Sequence, residues 1–478
     1  MARIAVIGAG MGAMAAAARL AVAGHEVSVH ERAESHGGAV GGLVRDGFAF
    51  DTGPGLLHLP AVYRDLFVKT GKQPLESRVE MVQVDPAVRH VLPDGTQVTL
   101  PNASRGGAAA ALDEAFGPGA GERWAAVLGR ARDAWDATRR PLLEEPLWPD
   151  WPVLGRDPYP AVRKSGLLRR RPPTLAETAA RELGGPLGSL LEHRVLAYGL
   201  DPRTAPASAA VLPYMEQTFG SWYVRGGLRA LATAVYERCL ERRVAFTFGS
   251  AVAGVAERDG RATGLVLADG TEVAADAVVS GIHPRALAAL LPGRELWPAG
   301  ARGPAAEAAG RSRTTVFCAL RGARPADAVH RTLVHGTPGG GPAVTVLRPD
   351  DPSGRPDADH EAVTVTAVTG PGDRFGAAEL LAAAEAAVPG LRERLLWHEV
   401  RTPADVELTT GAPGGAVPAP ALAGVDGRLL HPGNTTALPG LYLAGGGAHP
   451  GGGLPHAGMS GALVAGLIVE GAEFRGSQ

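Results

Sequence analysis

Hydrophobic and polar positions fall into two rhythms at the start of the chain. Ile4-Ala5-Val6-Ile7 is an unbroken apolar run stopped by Gly8, the pattern of a short strand buried on both faces. After the turn Gly8-Ala9-Gly10-Met11-Gly12-Ala13, small apolar residues continue to about Ala23 and predict a helix. Val27-Ser28-Val29-His30-Glu31 follows as a second strand, so Arg3 to Glu31 reads as one βαβ unit. Further on, a helix Arg229–Arg242 precedes short strands Val244–Phe248, Ala251–Glu257, Ala262–Leu267 and Glu272–Val279. Near the C-terminus come a strand Leu441–Ala444, a glycine-rich turn and a helix after Pro455. No repeat of fixed period and no long low-complexity tract separates these elements, and Pro349–His360, rich in Pro and Asp, reads as an exposed loop.

The chain has 478 residues, enough for two or three domains or for one large nucleotide-binding enzyme with an inserted lobe. At 45 % hydrophobic and 20 % charged residues it can bury a sizeable core. Forty-seven basic against forty-nine acidic residues give a formal charge of −2, so no global field gathers a polyanion and nucleic acid is not an expected partner. Two cysteines, Cys239 and Cys318, lie far apart without CxxC or Cys/His spacing, which supports neither a disulfide framework nor a zinc site. The fourteen histidines show no HExxH or comparable pattern, and no metal is expected. With neither a secretory leader pattern nor a 20-residue apolar span, the expected location is cytoplasmic.

Glycine carries the chemistry. There are 66 glycines, roughly twice the usual share of about 7 %. In the first turn, Gly8 permits the tight bend, Gly10 lets backbone approach a pyrophosphate at the helix N-terminus, and Ala13 is small enough for helix and strand to touch. Glu31, at the end of the second strand, can accept hydrogen bonds from a ribose diol and would repel the 2′-phosphate of NADP. A second glycine pair, Gly37-Gly38, follows shortly after, and then Gly47-Phe48-Ala49-Phe50-Asp51-Thr52-Gly53-Pro54.

The run from Glu31 through Gly37-Gly38, Gly53-Pro54 and Pro60 to Phe67 resembles the start of bacterial phytoene desaturases and their carotenoid desaturase relatives. Pro439-Gly-Leu-Tyr-Leu-Ala-Gly-Gly-Gly-Ala-His-Pro-Gly-Gly-Gly-Leu-Pro455 resembles the same family's C-terminal flavin motif. The resemblance implies an α/β fold, a Rossmann-like (GR2-type) FAD-binding domain with an inserted α+β substrate-binding lobe. The FAD domain would be discontinuous, from 1–75, 220–285 and 425–478, with 76–219 and 286–424 forming the lobe. It places Gly8, Gly10, Gly12, Ala13, Glu31, Arg32, Gly37, Gly38, Ala39, Gly53, Pro54, Val252, Gly445, Gly446, Gly452 and Met459 at the cofactor, with the backbone of Val252 against adenine. The helix after Pro455 would turn its positive end toward the flavin, and a side chain on Gly446 would either force its φ or push toward the ring. His449, inside the C-terminal turn, and His58, after Asp51-Thr-Gly-Pro, are candidate pocket residues. No flavin-attachment motif is present, so FAD would be held non-covalently.

The activity implied is removal of two hydrogens from a saturated C–C unit beside a polyene, with hydride passing to flavin N5. The resulting allylic cation is delocalised, which lessens the need for a strong base. No Ser-His-Asp order, catalytic carboxylate pair or Walker loop offers another chemistry. The chain departs from the family at Ala39, where arginine usually follows the glycine pair, and its aromatic content of 5 % is low for a long-polyene tunnel. A polyene or polyketide macrolactam reductase or cyclase on the same fold therefore stays open, as does a non-catalytic lipid carrier. A stretch from Trp148 and Trp151 to Arg163, Lys164, Leu167, Leu168 and Arg169–Arg171 mixes aromatic, aliphatic and basic residues suited to anionic headgroups, and would give peripheral contact with the inner face of the membrane. The oligomeric state is not set by any of these features.

Overall fold

The structure is a computed structural model and describes residues 1–148, 152–160, 172–297, 310–336, 341–370, 373 and 375–476. Five short strands, β1 (Arg3–Ile7), β2 (Glu26–His30), β3 (Ala245–Thr247), β4 (Ala277–Ser280) and β5 (Leu441–Leu443), form one parallel sheet in the order β3-β2-β1-β4-β5. Ile4, Val6 and Val29 are buried, which is why the first apolar run shows no alternation. Three helices cover this sheet: α1 (Met11–Val22), α2 (Leu228–Glu241) and α3 (Leu454–Glu470). α1 and α3 cross at close range. A Cβ on Gly461 would lie 2.4 Å from Gly12 O and 2.7 Å from Ala16 N, so the small residues of both helices are what lets the backbones meet.

The expected strand Glu272–Val279 is two strands. Glu272–Ala274 closes an antiparallel meander with Val252–Arg258 and Arg261–Leu267, whereas Ala277–Ser280 is β4 of the parallel sheet. Asp276 marks the break: its side chain accepts the Arg3 N–H at 2.8 Å and ties the crossover to β1.

A second sheet has seven strands, in the order Leu395–Arg401, Ser312–Arg321, His360–Thr369, Val344–Leu347, Arg331–Val334, Val88–Val91 and Gln97–Leu100. Its neighbours run antiparallel except where Arg331–Val334 lies beside Val88–Val91, a contact that joins chain from before α2 to chain from after β4. Helices Ala120–Arg139, Leu175–Glu182, Gly185–Leu196 and Val211–Phe219 bury Trp124, Leu175, Leu190 and Leu212 in a core of their own, closed by Val88 and Leu333 of the sheet.

Pro349–His360 is not uniformly exposed. Asp351, 4 % exposed, accepts the Tyr223 O–H at 2.8 Å and the Gly226 N–H at 2.7 Å, which anchors the loop to the turn before α2. Trp148 stacks beneath Arg475 at 3.7 Å, while Trp151 and the basic run Arg163–Arg171 lie outside the described residues. Among the described residues no helix is long and apolar enough to cross a membrane.

Candidate active site

The site starts where β1 ends. Gly8 has φ +88°, a conformation L side chains avoid, and its N–H donates to His30 O at 2.8 Å, drawing the turn against β2. A Cβ on Gly10 would meet no protein atom within 4 Å, so that face of the turn lies open at the N-terminus of α1. Behind it, a Cβ on Gly281 would lie 2.6 Å from the Ala13 methyl, which is the reason the third motif position stays small. Gly37 and Gly38, at φ +106° and +60°, run alongside: Gly37 N–H donates to Ala9 O at 2.8 Å, and a Cβ on Gly38 would lie 3.1 Å from the Gly10 Cα. Arg229 of α2 fixes this second segment by donating to His36 O and, at 2.6 Å, to Ser35 Oγ. Gly53 closes on the same strip, where any Cβ would lie 2.2 Å from Ala39 O, and Pro54 is half-buried beside it.

Glu31 accepts the Ala9 N–H at 2.7 Å and the Ala33 N–H at 2.8 Å, so its carboxylate lies across the base of the glycine turn. Ser250 N–H donates to Glu31 O at 2.8 Å and brings the segment containing Val252 alongside. Val252 pairs with Leu267, and the bond from Ala268 N–H to Ala251 O makes that pair a non-hydrogen-bonded one. The N–H and C=O of Val252 therefore face the free edge of the meander. The guanidinium of Arg32 goes elsewhere, to Leu408 O at 2.6 Å and Thr409 O at 3.0 Å, at the C-terminal end of the helix Pro403–Thr410.

The C-terminal glycine turn meets the first turn directly. A Cβ on Gly12 would lie 2.6 Å from the Gly445 Cα, and Gly445 itself has φ +95°. The conformational reason expected at Gly446 belongs instead to Gly445, because Gly446 is not in the left-handed region and a Cβ there would meet Pro418 Cγ at 3.1 Å. Gly452 is fixed by contact: its Cβ would lie 1.7 Å from Pro418 O. Two buried polar residues hold the turn. Ser460 Oγ of α3 accepts the Gly445 N–H at 3.0 Å, and Asn434 Nδ2 donates to His449 O at 2.8 Å. Nothing in the sequence singles out Asn434, whose partners lie in other segments.

His449 is fully buried, and its Nε2 donates to Glu145 O at 2.9 Å. Burial pushes its pKa down to about 4, so it is neutral at physiological pH. His58 does not join the glycine turns; it lies 3.7 Å from Glu216 and 3.4 Å from Ser221 Oγ. Met459, half-buried on α3, packs on the helical core. A further histidine, unremarked in the sequence, is better placed for chemistry. His456, in the first turn of α3, is 6 % exposed, lacks a partner for Nδ1 among the described residues, and is pushed down to about 3 by burial. It lines a cavity whose other walls include Trp135, Leu142, Leu212, Met215 and Leu422. The cavity's volume is about 20 Å³, room for one water.

These residues fit FAD. Positive-φ glycines, an open helix N-terminus, a carboxylate at the end of β2 and an outward-facing backbone edge at Val252 are the set an adenosine diphosphate needs, and the Gly12–Gly445 contact adds the second glycine turn to it.

Comparisons with known proteins agree. The family model described as flavin containing amine oxidoreductase matches residues 14–469. The 4,4′-diapolycopene oxygenase of Methylomonas sp is 30 % identical over 283 residues, 59 % of this chain and 56 % of that one. The hydroxyneurosporene desaturase of Rubrivivax gelatinosus is 29 % identical over 94 % of this chain and 90 % of its own. Other relatives are named phytoene and diapophytoene desaturases, and the chain spans about half the length of several of the curated relatives it matches. A solved oxidoreductase from Methanosarcina mazei has a TM-score of 0.66 at 18 % identity, covering 97 % of this chain and 99 % of that one, which shows a shared fold. The chain belongs to the flavin-containing amine oxidoreductase family, with FAD as its cofactor.

Proposed function

We propose that the protein is an FAD-dependent desaturase of a hydrophobic, carotenoid-type polyene. The observation that carries this reading is the apolar cavity walled by Trp135, Leu142, Leu212 and Met215, which shares His456 with the helix leaving the C-terminal glycine turn. Bound FAD supplies the hydride acceptor. Glu31 would hold its ribose and the start of α1 would receive its diphosphate, while the positive end of α3 lies at the glycine turn beside the pocket. The aliphatic walls exclude water from a cationic polyene that would otherwise be trapped by it. His456 Nδ1 takes the proton that such a cation sheds. A weak base suffices, because an allylic cation is a strong acid, and burial keeps this imidazole neutral and ready to accept. The basic segment from Arg163 to Arg171 supplies the contact with anionic headgroups through which a bilayer-dissolved substrate is delivered.

Incubating the oxidised and the reduced holoprotein with phytoene and with a polyene macrolactam tests the reading. Loss of two hydrogens from phytoene by the oxidised form supports it. Gain of hydrogen by the macrolactam with the reduced form, and no change in phytoene, replaces desaturation with reductive cyclisation. Protein that purifies without flavin points to a lipid carrier.

A further inference from the structure

Arg32 follows Glu31 directly, yet its guanidinium turns away from the glycine strip to the C-terminal end of the helix Pro403–Thr410, donating to Leu408 O at 2.6 Å and Thr409 O at 3.0 Å. Because the Glu31 carboxylate lies across the base of the first turn, this helix end is tied to the ribose end of the proposed FAD site. The chain entering the helix is tied to the second strip, where Arg401 Nη1 donates to Thr52 O at 2.8 Å beside Gly53. A third anchor lies past β4. There a Cβ on Gly411 would meet the Ala286 methyl at 3.7 Å, shortly after Gly281, which packs on Ala13. Residues 401–411 are thus fastened on three sides of the slot that runs from Glu31 past the turn Gly8–Ala13 to Gly53. The 8 residues of the helix extend about 12 Å, long enough to lie along a ribose and its diphosphate.

The helix has no core of its own. None of its residues is buried, and Leu408 is 77 % exposed. Pro403, Val406 and Thr410, at i, i+3 and i+7, are half-buried and mark its inward face. The two ends are held differently. At the N-terminal end Thr402 and Asp405 form a capping box, and a Cβ on Gly415 would collide with Pro403 O. Ser312 Oγ in turn donates to Gly415 O at 2.7 Å, so this end is rooted in the long strand Ser312–Arg321. At the C-terminal end a cation on two terminal carbonyls makes the hold, which the helix dipole reinforces. These bonds are exposed and therefore weak enough to break and re-form often.

We propose that Arg32 is a positioning residue that latches the helix Pro403–Thr410 over the ADP half of bound FAD and so sets the rate at which the cofactor enters and leaves. The proposal rests on the placement of FAD along the turn Gly8–Ala13. A latch and a ligand differ in kinetics: loosening a latch speeds entry and exit together, whereas losing a ligand speeds exit alone. FAD association with apoprotein and its release from holoprotein are followed by flavin fluorescence. Arg32→Ala is expected to raise both rates about two- to fivefold, the range for a cation at an exposed helix C-terminus, with Kd unchanged. Arg32→Lys, whose ammonium still reaches a carbonyl, should fall between parent and alanine. Hydrogen exchange of the holoprotein should quicken at residues 403–410 in Arg32→Ala and stay at the parent rate in α1. A higher Kd at an unchanged association rate makes Arg32 a direct FAD ligand and overturns the latch, as do parent rates or parent exchange in Arg32→Ala. Glu31→Ala separates this proposal from the placement beneath it. Parent affinity in that variant removes FAD from the turn, whereas weakened affinity there, with parent rates in Arg32→Ala, removes the latch alone.

Discussion

Glu31 sits between two backbone donors, accepting from Ala9 N–H at 2.7 Å and Ala33 N–H at 2.8 Å. Held there, the carboxylate would keep lone pairs for the ribose diol proposed to lie at the end of β2. Glu31→Ala should weaken FAD retention by about 10- to 150-fold, the worth of about 1.5–3 kcal/mol for a hydrogen bond to an ionised acceptor. Titrating FAD into apoprotein measures this, and parent-like affinity would remove Glu31 from the ribose. His456 makes the complementary case, since the role proposed for it is chemical and not adhesive. His456→Leu should keep full FAD content while turnover falls by about 100-fold, the lower range for a lost proton acceptor. Unchanged turnover would mean that the proton leaves by another group or by water. The two residues also differ in legibility. Glu31 is readable because its distance from the glycine turn is fixed by one helix and one strand. His456 acquires meaning only from Trp135, Leu212 and Met215, which reach it through tertiary packing.

The elements that matter most are the two glycine turns and the helices behind them, α1 and α3. Their contact leaves no room for a side chain: the space beside Gly12 is filled by Gly445, and that beside Gly461 by Gly12 O. Gly445→Val forces a side chain onto a residue at φ +95°, although its Cβ would meet only Gly281 O at 3.6 Å, and should lower the melting temperature and empty the flavin site, at a cost of about 1–3 kcal/mol for the strained backbone alone. Gly446→Val, whose Cβ meets Pro418 Cγ at 3.1 Å and Gly452 Cα at 3.5 Å without a positive φ, should be the milder change. Exposed Gly129, inside the helix Ala120–Arg139 with nothing within 4 Å of its Cβ, serves as the reference in Gly129→Ala. Flavin absorbance and melting curves of the three variants decide the order, and equal damage at Gly445 and Gly446 would contradict it. Glycine patterns of this kind are legible because a turn's backbone demand is written in adjacent residues. The break at Asp276 is not, since a continuous run from Glu272 to Val279 changes sheet only because Asp276 is held by Arg3. Asn434 is equally silent in sequence, being defined by Leu443, His449 and Ser460.

At the scale of the whole molecule, burial sets the response to acid. His36, His193 and His449 are pushed down to about 4, and His330, His335 and His456 to about 3, with loss of hydration as the main cause in each. Between those values and about 6.5 the unfolded chain binds more protons than the folded one, so stability falls as pH drops from about 6.5 toward 4. Asp51, which caps α2 through the Leu228 and Arg229 N–H groups, is raised to about 6 mainly by burial, and Asp157 and Glu192 are raised for the same reason; these act in the opposite sense, but they are three groups against six histidines. Melting temperature at fixed ionic strength should therefore decline steeply below about pH 6.5; a flat profile down to pH 4 would show that these imidazoles are hydrated. Both chain ends are proposed to build one FAD pocket that opens on an apolar substrate cavity. An anaerobic single turnover of the oxidised holoprotein with phytoene, following flavin bleaching and product mass together, tests this. One flavin should be reduced for each pair of hydrogens lost from the polyene; bleaching without a lighter product, or a lighter product without bleaching, would rule the arrangement out.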